Sequence, residues 1–172
     1  FLTGAGEQVE IVTVRTEGDR RQDVQLAAIG GKGLFVREIE EMLLSGAIDC
    51  AVHSLKDLPA QLPSGLVLAA FPEREDARDV LVTREPARLE SLRPGARVGT
   101  GSPRRRALAL SLRPDLVVEP VRGNVDTRLR KLASEGWDGV ILAVSGLKRL
   151  GLAPGNAQPL DPEAFVPAVG QG

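Results

Sequence analysis

The chain has 172 residues at 18.3 kDa, 42% hydrophobic and 26% charged, with a net charge of −1. That is ordinary globular composition for one large domain or two small ones, and it excludes a disordered tail, a collagen and a simple repeat. A single cysteine, Cys50, excludes an internal disulfide and points to a reducing compartment; one His and one Cys fall short of a usual zinc ligand set; and no apolar run approaches the roughly 18–20 residues of a membrane span. Phe1 opens the chain without an initiator Met and no signal segment follows, so the expected reading is a start that was lost, processed or left out.

The charge is unevenly placed. Residues 1–80 carry 8 basic against 14 acidic side chains, and residues 81–172 carry 14 against 9. Aromatics are 3%, with no Tyr and one Trp, so stacking platforms for single-stranded nucleic acid are scarce and a small polyanion is the better partner. Arg outnumbers Lys 18 to 4. Arginine offers carboxylates and phosphates a rigid fork where lysine offers a point charge, although genome base composition or heat adaptation accounts for the total equally well.

In chain order, Val9–Arg15 is β-branched and alternating and predicts a strand; Thr16–Gln25 reads as a loop. Ala27–Gly33 leads into a helix in which Phe35, Ile39, Met42 and Leu43 share one face, with Gly46 as its stop. Cys50–Ser54 predicts a short buried strand, with Cys50 as a core residue. Leu66–Phe71 and Asp79–Arg84 predict two more strands, split by a charged turn. The second half repeats one theme. Strands ending at Arg97–Gly99, and at Leu116–Val121 and Val140–Val144, are each followed by a helix, which implies parallel pairing through right-handed crossovers. The stretch from Pro154 to Pro167 reads as a loop returning toward the first lobe, and Met42 and Trp137 read as packing residues.

The arginines sit at informative places. Ser102 is a good N-cap and Pro103 suits the first helical position, yet Arg104, Arg105 and Arg106 follow. Cations at a helix N-terminus cost about 0.3–1 kcal/mol each. Three of them make sense if an anion is held there by backbone N–H groups and guanidinium forks together; the bland alternative is three solvated side chains. Arg122 repeats the arrangement before Gly123 and Asn124, and Arg128 lies one turn into the next helix, able to look back at the same turn. Ligands of open α/β sheets bind beyond the carboxyl ends of the strands, so Arg104, Arg105, Arg122 and Arg128, joined by Arg149, are expected to converge on one cleft. Arg130, Lys131 and Lys148 read as solvated.

The acidic half contributes His53-Ser54-Leu55-Lys56-Asp57 directly after a predicted strand. Asp57 there could stabilise a cation formed in a reaction, or simply cap a turn before Leu58-Pro59. Gly30-Gly31-Lys32-Gly33 fails as a phosphate-binding P-loop, since Gly33 stands where Ser or Thr must follow the lysine; a flexible loop carrying Lys32 to a ligand is the better reading. His53 reads as structural.

Taken together, GGKGLFVREIE at 30–40, AVHSLKDLP at 51–59, EREDARDVLV at 73–82, VGTGSPRRRA at 98–107, RPDL at 113–116, RGNVDTRLRKL at 122–132, ILAVSGLKRLGL at 141–152 and VPAVGQG at 166–172 resemble the porphobilinogen deaminase (hydroxymethylbilane synthase) family. The resemblance covers nearly the whole chain from about residue 10. It implies an α/β fold of two lobes resembling type II periplasmic binding proteins, each a mixed, mostly parallel sheet with flanking helices, and an active-site cleft between them. The lobes are expected at 1–72, rejoined by about 167–172, and at 73–166; the cofactor-attachment domain is expected to be absent, as are the first strand and helix. It implies head-to-tail condensation of four porphobilinogen molecules with release of ammonia, primed on a covalent dipyrromethane cofactor whose attachment cysteine is not in this chain. Little activity is expected of these residues alone.

By the same resemblance Asp57 is the catalytic carboxylate. Ser54, Lys56, Thr100, Ser102, Arg104, Arg105, Arg122 and Gly123 hold the cofactor, and Lys32, Arg128 and Arg149 meet substrate carboxylates. No metal, nucleic acid or membrane is implied, and a cytoplasmic monomer is expected. Ala28 in place of a second loop lysine, and Gly101 and Pro103 beside the paired arginines, depart from the family pattern. A two-lobed binding protein for a small anion is the competing reading.

Overall fold

The computed structural model describes residue 6, residues 8–14 and residues 36–172. The chain divides into two compact units. One runs up to His53 and again over Asp57–Ala69; the other holds Ser54–Lys56 and Ala70–Gly172. Segment 167–172, expected to rejoin the first lobe, is grouped with the second unit.

The second unit is a five-stranded mixed sheet flanked by helices. Its strands are β1 (Asp79–Thr83), β2 (Arg97–Gly99), β3 (Val117–Glu119), β4 (Gly139–Ala143) and β5 (Ala157–Pro159), in the spatial order β3-β2-β4-β1-β5. β2 pairs parallel with both β3 and β4, as helical crossovers require. β1 pairs antiparallel with β4, Asp79 opposite Ala143, and antiparallel with β5. β5 lies inside the stretch expected to be only a loop; it is a three-residue edge strand ending in Pro159, a place where a missing N–H is tolerated.

Alternation along β1 and β4 builds two cores. Leu81 and Ile141 face one side, with Leu89, Val98, Ala109, Leu116 and Phe165. Val80, Val82, Val140 and Leu142 face the other, with Val121, Leu132, Trp137 and Leu147. The helices follow from the same pattern: α2 (Pro103–Leu112) buries Ala109 on the first side, while α3 (Val125–Ser134) and α4 (Val144–Arg149) bury Leu132 and Leu147 on the second. A sheet covered on both faces explains why β1 and β4 read as continuous apolar runs.

The first unit departs from the sequence reading. Its helix, α1 (Arg37–Leu44), forms as expected, with Arg37 and Glu41 paired across one turn; Phe35 lies outside the described residues. Ile39 and Leu43 line an apolar pocket with Leu58, Leu62 and Leu66. The described part of Val9–Arg15, and all of Cys50–Ser54 and Leu66–Phe71, belong to no strand. Val52 is 93% and Val67 81% exposed, and Cys50 is exposed, not a core residue. The physical reason is pairing: an apolar, β-branched run becomes a strand only when a neighbour takes its backbone N–H and C=O groups, and none of these runs has a ladder partner among the described residues.

Candidate functional site

The antiparallel setting of β1 decides the chemistry at the sheet's edge. β2, β3 and β4 run parallel and end at one edge; β1 runs the other way, so its first residue, Asp79, stands at that same edge opposite Ala143. Immediately beyond the end of β2, Ser102 caps α2, its hydroxyl accepting from the Arg105 backbone N–H at 3.4 Å, and Thr100 Oγ1 accepts from the Ser102 N–H at 3.2 Å. This turn aims the first arginines of α2 at Asp79.

The Asp79 carboxylate is fully buried and accepts from three side chains. Arg105, 6% exposed, donates to Oδ1 through Nε at 3.0 Å and Nη2 at 2.8 Å. Arg104, half-buried, donates to Oδ2 through Nη2 at 2.7 Å and to the Val166 carbonyl through Nη1. Gln171 donates from Nε2 to Oδ1 at 2.8 Å and to the Ala77 carbonyl at 2.7 Å, which fixes its amide so that Oε1 accepts from Arg105 Nη2 at 3.3 Å and Lys56 Nζ at 3.4 Å. Arg105 Nη1 also reaches the Ile141 carbonyl at 3.4 Å. Two guanidiniums thus share one carboxylate, and the trio keeps one positive charge in excess. Arg104 is the more exposed of the two, with 27% of its side chain accessible against 8% for Arg105, so the excess charge is within reach of an acidic ligand.

A second cluster adjoins the first. Gly101, in the turn after β2, comes so close to the turn after β3 that a Cβ there would lie 2.7 Å from the Val121 carbonyl. The β3 turn continues through half-buried Arg122 to Gly123, whose φ of +108° suits glycine. Arg128 looks back as its spacing suggested, Nε donating to the Gly123 carbonyl at 2.7 Å. Thr100, Ser102, Arg122 and Gly123 therefore lie on two touching turns, Arg104, Arg105 and Arg128 on the helices that follow them, and Lys56 reaches the first cluster through Gln171.

The other predicted residues are exposed or lack a described position. Asp57 is exposed in a three-residue turn of 3₁₀-helix, Leu55–Asp57, and Ser54 is exposed just before it. Arg149 is exposed at the end of α4. Lys32 and Ala28 lie outside the described residues. Asp79 and Gln171 carry no role in the sequence reading. Their only signal was position within the quoted EREDARDV and VGQG stretches, and an antiparallel β1 was needed to bring them to the arginines.

The dipyrromethane group expected here is a pair of pyrroles bearing acidic side chains. The donor set fits it: guanidinium forks and a capped helix start at one edge, with an unbalanced positive charge. No group of three or more His, Cys, Asp or Glu among the described residues could hold a metal ion.

Comparison with known proteins agrees. The family described as "Porphobilinogen deaminase, dipyromethane cofactor binding domain" matches residues 2–172. The porphobilinogen deaminase of Caulobacter sp. (strain K31) is 56% identical over 173 aligned positions, covering 98% of this chain and 54% of the relative. That of Caulobacter vibrioides (strain NA1000 / CB15N) is 59% identical over 162, covering 94% and 50%. That of Syntrophus aciditrophicus (strain SB) is 54% identical over 164, covering 95% and 54%. The chain spans about half the length of these relatives. With a cofactor-binding domain matched across nearly every residue, and more than half of the residues shared with each of these relatives, the chain belongs to the porphobilinogen deaminase family.

Proposed function

We propose that the full-length protein carrying this chain is a hydroxymethylbilane synthase, a transferase of tetrapyrrole biosynthesis that joins four porphobilinogen molecules head to tail and releases ammonia at each step. The observation that carries this reading is the pairing of Arg104 and Arg105 on one buried carboxylate at the edge where the parallel strands end, with Lys56 tied to it through the Gln171 amide. A growing chain of pyrroles bearing acetate and propionate is a polycarboxylate, and such an edge suits it.

When bound, dipyrromethane supplies the anchored primer. Ser54, Lys56, Thr100, Ser102, Arg104, Arg105, Arg122 and Gly123 would hold it, and Lys32, Arg128 and Arg149 would meet the carboxylates of incoming rings. Asp57 supplies the opposite charge. Loss of ammonia from porphobilinogen leaves a cation on the substrate; the Asp57 carboxylate accepts pyrrole N–H bonds, steadies that cation and takes up the proton released when the new bond forms. No helix among the described residues is long and apolar enough to cross a membrane. A cytoplasmic monomer belongs to the same reading, and native mass spectrometry checks the oligomeric state.

The test uses full-length protein and porphobilinogen. Ammonia release, hydroxymethylbilane formation and a covalent dipyrromethane adduct in the intact mass are expected; binding without turnover or adduct would leave only an anion-binding protein. Asp57→Asn should keep the fold and lower turnover by about 100-fold or more. An unimpaired rate would remove Asp57 from the chemistry. Arg104→Leu or Arg122→Leu should deplete the adduct or stall elongation, and normal product from either variant would contradict the carboxylate clamp.

A further inference from the structure

We propose that Asp79 is a positioning residue for recognition of the acidic ligand, with Gln171 as the side chain that orients it; this rests on the reading that Arg104 and Arg105 grip ligand carboxylates. Asp79 is wholly buried, so it touches no ligand itself. What it does is hold two like charges side by side at a place that disfavours both. Each guanidinium repels the other, and the N-terminus of α2 repels both. Without a counter-charge, the low-energy arrangement of two long side chains there is outward, apart and hydrated. The carboxylate reverses this by giving a separate oxygen to each: Oδ2 to Arg104, Oδ1 to Arg105.

The division of the carboxylate has a directional result. Arg105 spends Nε, Nη1 and Nη2 on Asp79, the Ile141 carbonyl and Gln171, so its plane is set by the protein. Arg104 spends only Nη2 and Nη1, on Asp79 and the Val166 carbonyl; it is held by one edge while its remaining N–H groups have no hydrogen-bond acceptor among the described residues. A ligand carboxylate would meet a fork already placed and would bring the trio to neutrality. Placing the fork in advance removes part of the ordering entropy that binding otherwise costs.

Gln171 extends the device to the lysine. Because Nε2 is committed to Ala77 and Asp79, Oε1 has to face Arg105 and Lys56. One neutral amide thereby relates the position of the Lys56 ammonium to the same carboxylate. Register supports the assignment: Asp79 reaches this edge only because β1 runs antiparallel to β4, and Gln171 reaches it from 92 residues away in sequence.

The experiment uses full-length protein prepared without cofactor, as wild type, Asp79→Asn and Gln171→Met. Acquisition of the covalent adduct is followed by intact mass against porphobilinogen concentration, at a temperature where circular dichroism shows each protein fully folded. Asp79→Asn, nearly isosteric but neutral, should raise the half-loading concentration at least tenfold. Gln171→Met, which leaves both guanidinium–carboxylate pairs intact, should raise it about threefold. A purely structural role would lower the melting temperature of either variant and leave its loading curve where the wild type's lies; that outcome overturns the proposal. Should Asp79→Asn not fold, Gln171→Met decides alone, and an unchanged curve again overturns it. Wild type that acquires no adduct would sink the enzyme reading and this inference together, whereas wild type that loads with variants that load equally well would sink this inference only.

Discussion

Asp76 shows how a single charged residue is tuned in this protein. Arg78 places Nε 3.0 Å from one carboxylate oxygen and Nη2 2.6 Å from the other, and the Arg78 backbone N–H donates to the same group at 3.0 Å. Those bonds, led by the guanidinium, outweigh partial burial and hold the Asp76 carboxyl at about 2, against an ordinary 3.8. A carboxyl depressed on folding contributes stability that is complete above its unfolded value and is lost as pH falls through its folded value. The loss from Asp76 therefore falls between about pH 4 and pH 2. Asp76→Asn should melt with a shallower pH dependence than wild type over that window, and equal slopes would contradict the assignment. Glu119 acts in the same sense: hydrogen bonds from Arg97, then from the Trp137 indole, hold its carboxyl below the usual range.

Among the elements, α2 and β4 set the site and its support. The sequence places three arginines at the start of a capped helix, and the expected anion turns out to include one of the protein's own, Asp79, for Arg104 and Arg105, while Arg106 is exposed. β4 supports that edge from below. Ile141 is wholly buried in the core on the α2 side, and its carbonyl receives Arg105. Truncating a buried Ile removes transfer energy and leaves a cavity in a close-packed interior. Ile141→Ala should cost about 3 kcal/mol, read as a drop in the denaturant midpoint at unchanged slope. A cost well under 1 kcal/mol would mean that β4 is not the packed centre of the sheet.

Across the whole molecule, ordered pairing is uneven. In the second unit every strand has a partner and two apolar cores cover the sheet. In the first, residues 50–53 and 66–69 belong to no helix or strand. Amide exchange follows the opening of hydrogen-bonded, buried segments, so exchange of this chain should separate the two regions. Amides of β1 and β4 should exchange only with global unfolding, and those of residues 50–53 and 66–69 within the first time points. Comparable protection in both regions would contradict the described pairing.

Local pattern sufficed where an element carries its own signal. β1, β2, β4, α2 and α3 were legible because apolar period, N-cap and proline act within a few residues, and the Arg-bearing turns after β2 and β3 follow directly from them. The quoted motifs likewise pointed to the family and to an acidic ligand. What local pattern could not decide is pairing. Cys50–Ser54 and Leu66–Phe71 have strand composition but no neighbour among the described residues, whereas Ala157–Pro159 looks like loop and becomes a strand because β1 offers it a free edge. The direction of β1 is the decisive case: strand pairing is non-local, and only its antiparallel register carries Asp79 to the arginines and Gln171.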